Sequence, residues 1–151
     1  METRDTTNEA FYKNLLSLWL AFFVSPFLFL VVIYFVSPSL FSFSSFNPIF
    51  DQNYLIVVIF AVAAILNLTA SFIFRQKFLH QAIRKQEISI VQNAVLVGCV
   101  LCETVALFGF MLAFVAEYQY FFVWFLLSLF GMLFHFPSKK HIFDASLKKT
   151  T

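Results

Sequence analysis

Charged side chains make up only 12% of this chain, about half the share of an ordinary soluble domain, while hydrophobic residues reach 61%. No water-soluble core absorbs that much apolar surface, so a soluble globular fold is excluded. Cysteine is nearly absent too. The only two, Cys99 and Cys102, lie together in one apolar run, which rules out a secreted disulfide framework. Histidine occurs three times, at 80, 135 and 141, and no two pair with an acid at metal-ligand spacing. Paired acids and a nucleophile with a neighbouring base are missing as well, so the composition points away from an enzyme and from any cofactor or metal.

What the chain does have is length in its apolar runs. Four of them, approximately residues 15–37, 54–74, 92–115 and 119–136, are long enough to cross about 30 Å of hydrocarbon, which takes about 20 helical residues. Backbone groups cannot stay unpaired in lipid, and these runs are continuous rather than alternating, so helices are expected rather than barrel strands. The expected fold is all-α: a single polytopic membrane domain over residues 1–151 with four transmembrane helices. The first run exceeds the h-region of a cleavable signal peptide, and Ser37-Pro38-Ser39 is a poor cleavage site, so it reads as a retained span.

Two of the loops contain no basic residue at all. Arg4 and Lys13 precede the first span; Arg75, Lys77, Arg84 and Lys85 lie between the second and third; Lys139, Lys140, Lys148 and Lys149 follow the last. The positive-inside rule then places both termini and the middle loop in the cytoplasm. No remaining segment is long enough for a separate catalytic or nucleic-acid-binding core, so the expected surroundings are the lipid bilayer and a membrane-protein partner or second copy, with no nucleic acid. The external segment Ser37–Phe50 mixes Ser, Pro and Phe without charge and suits the interface. The segment Arg75–Glu87 sets Phe78, Leu79, Ala82 and Ile83 at helical spacing against its cations, which fits an extension of the second helix past the membrane surface, where it meets anionic headgroups. A bacterial inner membrane is the expected location. The terminal Lys148-Lys149-Thr150-Thr151 resembles a dilysine retrieval signal and gives the endoplasmic reticulum as the alternative in a eukaryote.

Glu103 is the single acid in the interior of any span. A carboxylate at mid-bilayer costs about 2.5 to 3.5 kcal/mol even on the lenient insertion scale, so it must be neutralised, partnered or used. Each span has a polar residue near its midpoint: Ser25 before Pro26, Asn67, Glu103 and Ser128. Opposite chain directions put Asn67 and Glu103 within about one helical turn in depth, so a contact between them across the bundle is expected. Two uses remain open. Glu103 and Asn67 are either interhelical glue, or Glu103 is an ion- or proton-binding group with Asn67, Thr104 and Ser25 as hydrogen-bond partners. No residue is assigned a catalytic role.

The run Glu103-Thr-Val-Ala-Leu-Phe-Gly-Phe-Met-Leu-Ala-Phe114, with the polar loop before it beginning Arg75-Gln76, resembles the outer helix and loop of the proteolipid subunit c of rotary ATP synthases. The resemblance covers the second and third spans and implies a helical hairpin with Glu103 as ion-binding carboxylate. The second span, Tyr54 to Phe74, holds no glycine, so the close ring packing of that family is not implied. The whole chain resembles uncharacterised small four-helix bacterial membrane proteins that share the Glu-x-x-Ala-Leu-Phe-Gly segment. The expected role is a non-enzymatic accessory or assembly component of a membrane complex; the alternative is a proton- or cation-handling proteolipid.

Overall fold

A computed structural model describes residues 2–41 and 54–146, with side chains from residue 8 onward. Residues 42–50 of the charge-free segment expected in the interface, and the Lys148-Lys149 tail, lie outside the described residues. Among the described residues every regular element is helical: α1 (Glu2–Val36), a 3-10 turn (Pro38–Phe41), α2 (Tyr54–Lys85), α3 (Ile88–Val115), α4 (Phe122–Phe134) and α5 (Lys139–Ser146). β-Branched and aromatic residues are common in them, yet no strand forms, because satisfying the backbone within one segment overrides strand propensity when water is excluded.

α1, α2 and α3 are each long and apolar enough to cross a membrane. The fourth expected span needs correcting in detail. Its helix covers only Phe122–Phe134, about 20 Å at the helical rise, and it reaches spanning length only with α5, from which it is bent by 42°. Pro137 stands at that bend, where it cannot continue the helix of α4. α1, by contrast, runs through Pro26 unbroken. α2 does extend eleven residues beyond Phe74, as the amphipathic spacing implied.

α3 is the central post. Its most apolar window is 44% buried, against 17% for α1 and 11% for α2. It packs on α1, α2 and α4, while α1 and α2 make no extended backbone approach to each other, and the side of α3 that carries Val100, Leu107 and Met111 stays exposed between them. Toward one end, α5 closes the base with Leu15 and Trp19 of α1, Ala82 of α2 and Val91 and Val95 of α3. Trp19 Nε1 also donates to the Met132 carbonyl of α4 at 3.0 Å, satisfying a buried indole and a carbonyl in the last turn of a helix together.

None of the three glycines sits at a turn with positive φ; that backbone region is occupied instead by Gln86 and Glu117, which end α2 and follow α3. Each glycine lies inside a helix at a close crossing. A Cβ on Gly98 would stand 1.9 Å from His135 Cδ2, and one on Gly131 would stand 2.8 Å from Cys102 Sγ and 2.9 Å from a Leu68 methyl. Glycine in this chain permits backbones to approach, which is how apolar helices gain contact when lipid is as apolar as leucine.

Candidate functional site

Phe110 of α3 packs on Phe29 of α1 with ring centroids 5.5 Å apart, and Phe108 packs on Phe60 of α2 at 5.1 Å. These contacts define two flanks of α3. Glu103 precedes Phe110 by seven residues, two helical turns, and so belongs to the flank facing α1. There the Ser25 hydroxyl donates to Glu103 Oε1. Both side chains are half-buried at the edge of the open side, whose floor is Val100, Leu107 and Met111, each 40–48% exposed.

The expected contact between Asn67 and Glu103 is not made. Phe60 lies two turns before Asn67 on α2, and its pairing with Phe108 sets Asn67 opposite about Leu101, within about 3 Å of Glu103 in depth. Depth is therefore as expected, but rotation is not. Asn67 Nδ2 turns back to the Ala63 carbonyl of its own helix at 2.9 Å. Glu103 meanwhile is on the flank facing α1. Thr104 Oγ1 likewise bonds the Val100 carbonyl one turn earlier, at 2.9 Å. Of the four candidate residues, the structure joins Ser25 with Glu103 and leaves Asn67 and Thr104 satisfied locally.

A second polar cluster was missed by the sequence reading. His135, next to last in the fourth expected run, is fully enclosed where α4 ends. Its Nδ1 is 2.9 Å from the Gly131 carbonyl and its Nε2 3.4 Å from the Ser71 carbonyl of α2. Cys102 Sγ lies 3.8 Å from Ser71 Oγ and 3.9 Å from His135 Nδ1. A carbonyl only accepts, and each ring nitrogen faces one, so the proton of the neutral ring has an acceptor on either side. The thiol and imidazole lie side by side inside the bundle. They are a buried lock joining α2, α3 and α4, and Cys99 and Cys102 are both free, enclosed packing residues. The signal for this cluster was the glycine scarcity: Gly98 and Gly131 mark the two places where His135 and Cys102 need room.

Arg75 is half-buried beneath this cluster, and its Nε has no hydrogen-bond partner among the described residues; nor has Ser128 Oγ, enclosed in α4. Among the described residues no three His, Cys, Asp or Glu side chains converge as a metal site would need. Comparison with family models, curated protein sequences and solved structures yields no match.

Proposed function

We propose that the chain is a four-span integral membrane protein acting as a non-enzymatic accessory or assembly component, with the open side of α3 as the place where another membrane helix or a second copy seats. The observation that carries this is the missing fourth wall. α1 and α2 flank α3 on two sides and the face between them is exposed, leaving a lipid-depth groove with Glu103 and Ser25 at its edge. A carboxyl in hydrocarbon with one hydroxyl donor and no cation gains from a further partner. Exposed Val100, Leu107 and Met111 provide a stripe at helical spacing for such a partner to pack on. The proposed orientation places both termini and the α2–α3 turn in the cytoplasm. Its support is that Lys13, Arg75, Lys77, Arg84, Lys85, Lys139 and Lys140 belong to the segments that converge at the end closed by α5.

Purification in mild detergent tests the reading. A stoichiometric membrane partner or a homo-oligomer should co-purify, and Val100→Trp with Leu107→Trp should release it; recovery of a lone, stable monomer would overturn it.

The contact between Ser25 and Glu103 also favours a second reading, proton or cation handling by Glu103, in keeping with the subunit c resemblance of the α2–α3 hairpin. Reconstituted vesicles should then pass protons, and Glu103→Gln should stop them. Absence of flux in the wild type, or flux unaffected by the substitution, sinks that reading.

A further inference from the structure

α2 leaves the apolar zone at Ile73 and Phe74 and continues as helix to Lys85. Its inner face is held in place: Ala82 is fully buried, and Phe78 and Leu79 pack into the cluster formed with α1, α3 and α5. The opposite face is thereby fixed outward. Ile73, Lys77, His80 and Arg84 follow one another at spacings of four, three and four residues, which is a single helical stripe. With Gln76, Gln81 and Lys85 they line an open trough of ≈ 820 Å³. No acidic residue lines it, and none of its cations takes part in an ion pair among the described residues.

We propose that this face of α2 is a binding site for the headgroup of an anionic phospholipid, with Lys77 meeting the phosphate, Arg84 attracting it from just above the headgroup layer, and the Gln76 and Gln81 amides as further donors. Charge selects the occupant, and depth selects a lipid over a soluble anion. Ile73 stands at the hydrocarbon boundary, so at the helical rise Lys77 lies about 6 Å above it, in the headgroup layer, and His80 about 10 Å above it, at the outer margin of that layer. Arg84 lies about 16 Å above, within a Debye length of that layer, where the negative surface potential still acts. A rigid ladder starting in hydrocarbon and ending in water matches a molecule with acyl chains below and phosphate above. The inference depends on α2 crossing the membrane, and on neither the accessory nor the ion-handling role.

Native mass spectrometry of the full chain, delipidated in neutral detergent and titrated with palmitoyl-oleoyl phosphatidylglycerol or the matching phosphatidylcholine, tests it. The anionic lipid should bind at least about tenfold tighter. Two headgroup cations at about 1 kcal/mol each predict about a thirty-fold loss for Lys77→Gln with Arg84→Gln, and about fivefold for Arg84→Gln alone. Lys13→Gln with Lys140→Gln, exposed cations off the stripe, should change affinity less than about twofold on the same scale. Equal affinity for the two lipids, an equal loss in the off-stripe variant, or tighter binding of a polyglutamate peptide than of the lipid would each overturn the proposal.

Discussion

The Ser25 hydroxyl of α1 donates to the Glu103 carboxyl of α3, and this is the polar link between those two helices at mid-span. Interhelical hydrogen bonds within bilayers are worth about 0.6 kcal/mol on average, up to about 1.7. Ser25→Ala should therefore lower unfolding stability in detergent by about that amount. Glu103→Gln keeps an acceptor for Ser25 and should cost less than Glu103→Leu, which leaves the hydroxyl unpaired. Equal losses for the two Glu103 variants would show that the contact contributes nothing.

Asn67 bonds only within α2. Asn67→Leu should thus be nearly neutral for stability and leave carbodiimide labelling of Glu103 unchanged. A labelling rate altered several-fold would show that the two side chains meet after all.

Gly98 is where His135 enters α3. A methyl there has no room beside an imidazole enclosed on every side, so Gly98→Ala should destabilise by about 1 to 3 kcal/mol, as overpacked cores do. The double variant Gly98→Ala with His135→Ala should recover part of that loss. Thermal unfolding of the single and double variants in one detergent supplies the comparison, and additive losses would refute the clash.

Trp19 links α1 to the last turn of α4 through Met132. Trp19→Phe removes the indole donor, leaves the Met132 carbonyl with the His135 N–H alone, and also sacrifices some of the stacking on Phe23. The expected cost is about 0.5 to 1.5 kcal/mol, read as a lower unfolding midpoint. A midpoint equal to the wild type would show the bond to be dispensable.

His141 in α5 is pushed below its ordinary pKa, first by burial and then by the Arg75 charge. The folded state therefore binds this proton less readily than the unfolded state, so stability should fall as pH drops below about 6.5. His141→Gln should flatten the part of the decline that this side chain causes. Unfolding midpoints at pH 7.5 and 5.5 provide the test; an identical drop in the variant would remove His141 from the account.

Much of this molecule is written in its composition. Apolar runs of spanning length with little charge dictate helices, because in lipid each backbone group must be paired within its own segment. The same local information marked Glu103 as a costly acid, placed Asn67 at nearly its depth and showed that Arg75–Lys85 prolongs α2. Rotation of each helix about its axis was beyond it. A helix apolar nearly all round has no polar stripe to say which side faces inward. Only the tertiary packing decided that Glu103 meets Ser25 and not Asn67, that His135 is enclosed at Gly98, and that α3 keeps an open side. The physical reason is that these choices depend on shape at close approach, set by three glycines and the large rings around them, which no single run of sequence encodes.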